Sequence, residues 1–247
     1  MTARTSKKNV RYVLAIVALA IIGASIISGA VSYEQVSVPV KTIFKPAPSS
    51  EIVYGDRSKK QIIFTFDAGD SDRSAHGILL VLAKHHVKGT FFMTGKFIEA
   101  NPALVRQIAS DGNEIFDHTY DHKDLTTLTN VQIDAELNGM NALLASTTGM
   151  DAKPYFRAPY GARDLRVRTA AAADGFQSVY WTLDARDWME SQGETADEVR
   201  GRILSNISPG TIVLMHVGDS ITASILDDVF TKIEAQGYKI VSLTQGL

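Results

Sequence analysis

Apolar positions along the chain fall into two kinds of run that alternate. Dense stretches rich in β-branched and aromatic residues, such as Ile62-Ile63-Phe64-Thr65-Phe66 and Thr211-Ile212-Val213-Leu214-Met215, are separated by longer segments of helical character. The pattern predicts strands over 61–66, 89–94, 113–117, 177–181 and 211–216. It predicts helices over 74–86, 102–110, 131–148, 164–173, 195–205 and 221–236, several closed by a glycine just past the last turn. Repeated strand–helix alternation implies an α/β fold with a parallel sheet, closed or nearly closed into a barrel. Chemistry in such barrels sits at the C-terminal ends of the strands. Polar residues do fall there: Asp67 follows Phe66, His118 follows Asp117, and His216 ends the last strand.

The amino-terminal quarter obeys a different pattern. Lys7, Lys8 and Arg11 precede an uncharged, largely apolar run over 12–33, long enough to span a bilayer. A cleaved signal peptide has a shorter apolar region of about 7 to 15 residues. The run is therefore predicted to be an uncleaved transmembrane anchor, with the basic tail over 1–11 in the cytoplasm and the remainder outside the cell. Cleavage after Ala30, which would release a secreted protein, is the alternative. Residues 34–55 include Pro39, Pro46, Pro48, Ser49 and Ser50 and read as a linker, which puts one domain at 56–247.

Composition narrows the partners. A chain of 247 residues, 45% of them hydrophobic, can bury a sizeable core. A formal net charge of -2 without a basic stripe argues against nucleic acid. With no cysteine there is no disulfide and no thiolate, so a bound metal has only His, Asp, Glu and water as ligands.

The sharpest local signal is Asp117-His118-Thr119-Tyr120-Asp121-His122, in which two imidazoles four residues apart could converge on one ion. Alone, the pair reads equally well as two surface histidines. Four other segments change its weight: Thr65-Phe66-Asp67-Ala68-Gly69, Arg157-Ala158-Pro159-Tyr160, Asp184-Ala185-Arg186-Asp187-Trp188 and Leu214-Met215-His216. Taken singly, Asp67 would serve as a helix cap, Arg157 as the partner of any acid and Trp188 as core. Together, in order and spacing, the five segments resemble the motifs of the polysaccharide deacetylase family, carbohydrate esterase family 4, over about 61–247.

The resemblance implies a distorted (β/α) barrel and a divalent metal, zinc or cobalt in its place, held by His118 and His122. It implies that Asp67 is the general base for the attacking water and that Arg157 orients it. The backbone N–H of Tyr160 would steady the oxyanion, while His216 paired with Asp187 would protonate the departing amine. Trp188, Leu214 and Tyr160 would line the substrate pocket. The partner implied is an acetylated amino-sugar polymer, cell-wall peptidoglycan or a chitin-like glycan, close to the membrane that carries the anchor.

One position departs from the pattern. The family's first motif usually carries two adjacent aspartates, the second of them a metal ligand, and here the second is Ala68. Water, Asp70 or Asp72 could take that place, and Asp117 or Asp121 could adjust the histidines from behind. The acid and the base are both present, which favours retained catalysis. The alternatives are a catalytically silent carbohydrate-binding module of the same fold and an O-acetyl esterase of the xylan type. His76, His85 and His86 match no motif and read as surface residues.

Overall fold

The computed structural model describes residues 50–69 and 71–247. The segments expected to be a cytoplasmic tail and an anchor, most of the expected linker, and Asp70 lie outside the described residues. Among the described residues no helix is long and apolar enough to cross a membrane.

In chain order the elements are β1 (Gln61–Ala68), α1 (Ala75–Lys84), β2 (Thr90–Met93), α2 (Gly95–Ala100), α3 (Pro102–Ser110), β3 (Glu114–Asp117) and α4 (Asn130–Thr148). There follow β4 (Tyr155–Phe156), α5 (Leu165–Ala173), β5 (Gln177–Ser178), β6 (Leu183–Asp184), α6 (Ala196–Asn206), β7 (Thr211–His216), α7 (Ser220–Ala235), β8 (Lys239–Val241) and α8 (Leu243–Gly246). All strand pairs are parallel, in the order β5-β4-β3-β2-β1-β7-β6, with β8 joined to the start of β1. The sheet curls into a half-barrel. Ile52 pairs with Val179, just past β5, and the Val53 carbonyl accepts the Thr182 hydroxyl, just before β6. Residues 51–55, which read from sequence as the end of a linker, thus pack between the two edge strands. Glu51 adds an ion pair to Arg163 and accepts the Ser178 hydroxyl.

Strand β1 organises the core because both of its faces are covered, as expected of a central parallel strand. Successive side chains point to opposite faces. Ile62, Phe64, Phe66 and Ala68 enter the large cluster formed with α1, α3 and α7. Ile63 instead joins Phe92, Phe116, Val179, Ile212 and Leu243 inside the curl. Thr65 and Asp67 continue that inner face towards the C-terminal ends of the strands. Each large side chain so buried contributes about 1.5–3 kcal/mol, a reserve large enough to hold ionised groups out of water beside it.

The predicted helices appear within two residues at each end, and α4 shows why: Thr129 and Gln132 form a reciprocal capping box and Gly149 closes the helix at φ 78°. The predicted strand over 177–181 is shorter than expected. It pairs in the sheet only as Gln177–Ser178, because the chain leaves β4 at Val179 to meet Ile52 and rejoins the sheet at β6.

Candidate active site

The inner face of β1 delivers Asp67 to the floor of a cavity of about 390 Å³ at the C-terminal ends of the strands. Its Oδ1 accepts Nη1–H of Arg157 at 2.6 Å. Arg157 leaves β4 fully buried, and the same nitrogen donates to Thr65 Oγ1 while Nη2 donates to the Tyr180 carbonyl. Its guanidinium lies over the Phe92 ring, 4.2 Å from the centroid, and faces Trp181 at 5.8 Å. Burial opposes ionisation of Asp67, but Arg157, His118 and His216 outweigh it and hold the carboxyl below its ordinary range. Asp67 is thus a carboxylate with one oxygen tied down and the other turned towards His118.

That second oxygen lies 3.5 Å from Nε2 of His118. His118 follows β3, and its Nδ1 donates to the Arg157 carbonyl oxygen at 2.9 Å. A carbonyl can only accept, so the Nε2 lone pair points into the cavity. Burial depresses the imidazole to a pKa of about 4, against the opposing pull of Asp67, which leaves the ring neutral near pH 7. The chain then folds back on itself. Thr119 and His122 both adopt left-handed backbone, at φ 68° and 60°, and Thr119 bridges the turn by donating its N–H to Asp117 and accepting that of His122 on Oγ1. The two imidazole Nε2 atoms face each other at 3.2 Å. Tetrahedral ligation by nitrogens about 2.0–2.1 Å from a zinc ion separates them by about 3.3 Å, so this pair fits one ion.

Across the cavity, His216 at the end of β7 places Nδ1 3.0 Å from Asp187 Oδ1. Asp187 is fully buried in the short 3-10 turn Asp187–Gln192, where its Oδ2 accepts the His216 N–H at 2.6 Å and the Thr222 hydroxyl. Burial works against a charged His216. The hydrogen bond and charge of Asp187, with Asp67 and Asp219, prevail and raise its pKa to about 9. His216, Asp187 and Asp219 have ligand atoms within 4.8 Å of one another and form a second conceivable cation site. Both Asp187 oxygens are already engaged by hydrogen bonds, however, and the imidazole they hold is cationic. The cluster is better suited to holding a proton than a metal.

The walls are aromatic and apolar. Tyr160 is 73% exposed in a left-handed turn (φ 59°), with its ring edge-on to His122 at 4.7 Å. Trp188, 43% exposed, donates Nε1–H to Asp184 at 3.4 Å, and Leu214 lines the same cavity. Every residue expected at the site therefore borders this cavity or supports one that does. Sequence reasoning gave no role to Trp181, Asp184 and Asp219, which also line it. Asp184 stood within a quoted motif. Trp181 follows β5, and only the fold brings it over Arg157.

Other expectations come out differently. Ala68 does not face the cavity: its side chain is fully buried in the helix-facing cluster, the opposite side of β1 from Asp67. Asp72 is exposed at the approach to α1. Asp121 pairs with Lys96 and Lys123 at the surface. Asp117 supports the turn through Thr119, and its other oxygen is buried with no hydrogen bond, so burial pushes its pKa well above the carboxylate range. His85 is not a surface residue. Its ring is 7% exposed and bonded to Asp227 and Glu234 of α7, whereas His76 and His86 are exposed as expected.

The chain is similar in sequence and fold to known proteins. Residues 54–179 match the family model described as polysaccharide deacetylase. The peptidoglycan-N-acetylmuramic acid deacetylase PdaA of Bacillus subtilis is 33% identical over 189 residues, which is 76% of this chain and 72% of that protein. The peptidoglycan-N-acetylglucosamine deacetylase PgdA of Listeria monocytogenes is 32% identical over 193 residues, 76% of this chain but 39% of the longer relative. The structure of PdaA, a family 4 carbohydrate esterase, superposes with a TM-score of 0.76 at 32% identity, covering 79% of this chain and 84% of that one. A carbohydrate esterase family 4 pseudoenzyme from Bacillus anthracis superposes as well, with a TM-score of 0.76 at 30% identity over 81% of this chain and 69% of that one. A mutant of it with restored enzymatic activity gives a TM-score of 0.76 at 31% identity, over 81% of this chain and 72% of that one. With its curled parallel sheet, its paired histidines and these matches, the chain belongs to the polysaccharide deacetylase family.

Proposed function

We propose that this protein is a metal-dependent hydrolase that removes N-acetyl groups from an amino-sugar polymer, with cell-wall peptidoglycan as the favoured substrate. The observation that carries the reading is the opposition, within one cavity, of a carboxylate held ionised by Arg157 and an imidazolium held protonated by Asp187. Amide hydrolysis needs that pair, because the attacking water must lose a proton and the departing nitrogen must gain one. A divalent cation held by His118 and His122, zinc or cobalt in its place, would supply Lewis-acid polarisation of the acetyl carbonyl and acidify the water. Asp67 takes the proton of that water through Oδ2. His216 donates from Nε2 to the sugar nitrogen as the C–N bond breaks, and acetate leaves with the amine free. The backbone N–H of Tyr160 is assigned to the oxyanion. Leu214 and Trp188 offer the acetyl methyl an apolar seat, and the exposed Tyr160 ring offers a sugar face a surface to stack on.

Relatives named as deacetylases of peptidoglycan and of chitooligosaccharide support the substrate class. The amino-terminal run, read as an anchor, supports a place at the cell surface within reach of the wall. A second reading, a silent glycan-binding domain, has two observations in its favour. Ala68 offers the metal no third ligand from β1, and a neighbouring fold of the family is a pseudoenzyme. Acetate release from peptidoglycan and from N-acetylglucosamine oligomers, with added zinc and with chelator, separates the two. Release that depends on zinc and disappears in His118→Ala and Asp67→Asn establishes hydrolysis. A folded protein that binds glycan but releases no acetate leaves the silent domain standing.

A further inference from the structure

The segment carrying the two histidines has no regular structure of its own, yet it must hold two nitrogens 3.2 Å apart through two left-handed residues. Such backbone persists only where its surroundings fix it. On one side α2 does so: the Gly95 N–H donates to the Thr119 carbonyl at 3.0 Å and the Lys96 N–H to the Tyr120 carbonyl at 3.2 Å. The Tyr120 ring lies so close to Gly95 that a Cβ there would come within 2.5 Å of it. On the other side the Asp117 carboxylate accepts the Thr119 N–H, and a second carboxylate takes the next two N–H groups. Glu136 of α4 is 6% exposed, and its Oε2 accepts the N–H of Tyr120 at 3.0 Å and that of Asp121 at 2.7 Å. Its Oε1 accepts Lys123 Nζ at 2.8 Å, which neutralises the buried charge.

From this clamp we infer that Glu136 is a positioning residue for the metal centre. It touches neither substrate nor the reacting atoms. It fixes the backbone between the two imidazoles, so that their separation is set before an ion arrives. A buried carboxylate pinned by two N–H groups and an ammonium would be an unusually elaborate way to fill space beneath a loop. A residue that sets ligand spacing in advance changes cation affinity, and loss of supporting contacts behind metal ligands costs about 10–100-fold in affinity. The inference rests on the metal reading proposed above.

The test is zinc affinity of the full-length chain, measured by competition with a chromophoric chelator, beside the thermal midpoint of each variant. Glu136→Gln retains an oxygen that can accept both loop N–H groups and gives up only the pairing with Lys123. Its zinc affinity should stay within about threefold of the parent. Glu136→Ala removes both acceptors and should weaken zinc binding about 10–100-fold while the chain is still folded. Should the alanine variant fail to fold, Glu136→Asp carries the same test, because its shorter side chain reaches only part of the loop, and weaker zinc binding is again expected. Undiminished affinity in the folded alanine variant, or in the aspartate variant used in its place, overturns the inference. So does an equal loss in the glutamine and alanine variants, since charge and not backbone geometry would then be responsible. A parent protein that takes up no zinc overturns the metal reading itself, and this inference with it.

Discussion

Arg157 and Asp67 meet at 2.6 Å in a part of the protein where the guanidinium is fully buried and the carboxylate almost so. Neither charge is tolerable there without the other, and removing one partner of such a pair destabilises by about 3–5 kcal/mol. Arg157→Ala should therefore lower the denaturant midpoint substantially. Arg157→Lys keeps the charge but not the fork that also reaches Thr65 and the Tyr180 carbonyl. Its loss should be smaller, and the acid limb of its kcat/KM profile should move up because Asp67 is less well held as an anion. The stabilisation from ionised Asp67 is present above its unfolded pKa and fades as pH falls through its lower folded value. Acid unfolding of the parent should thus be steeper than that of Asp67→Asn.

The alkaline side belongs to His216. A folded pKa of about 9 keeps it protonated at neutral pH, so acetate release should hold level through neutrality and fall off near pH 9. Asp187→Asn removes the partner that raises it most, and the alkaline limb should shift downward by at least one pH unit. Stability follows the same group in the opposite sense to Asp67. The contribution of the protonated ring is complete below about pH 6.5 and is lost as pH rises through 9. The thermal midpoint should decline over that interval in the parent and much less in His216→Ala.

Trimming the segment before β1 should matter more than its proline-rich composition suggests. Ile52 and Val53 pack between β5 and β6, and Glu51 reaches Arg163 and Ser178. A soluble piece over 56–247 should melt several degrees below one over 50–247 when both are followed by circular dichroism. Equal midpoints would show that the edges of the half-barrel need no such filler.

The aromatic walls can be tested without disturbing the core, because Tyr160 and Trp188 are exposed by 73% and 43%. Stacking contacts of this kind are worth about 0.5–1.5 kcal/mol. Trp188→Ala and Tyr160→Ala should each lower kcat/KM on glycan oligomers about 2- to 15-fold and leave the thermal midpoint within about 2 °C. A loss of stability without a kinetic effect would make them packing residues.

Much of this was legible in the chain itself. Local pattern is enough for a capped helix such as α4 and for a strand with an apolar run as dense as that of β1, because capping and burial act on neighbouring residues. The pairing of His118 with His122 and the placement of Asp67 at a strand end were legible for the same reason. Strands of two or three residues such as β4, β6 and β8 carry no period to recognise, and α2 is too short to show a face. The buried ring of His85 was misread because its partners, Asp227 and Glu234, lie on α7, well over a hundred residues away in sequence.

The sequence by itself determined the alternation of strand and helix and the placing of Asp67, His118 and His216 where strands end, with His122 four residues beyond His118. Tertiary structure alone decided that Ala68 turns away from the cavity and that Trp181 covers Arg157. It also brought Glu136 beneath the histidine turn and drew residues 51–53 into the half-barrel. The physical reason is one of range. Propensity, capping and alternation act over a few residues, whereas desolvated charges and closed packing are set by whatever the curl of the sheet brings into contact.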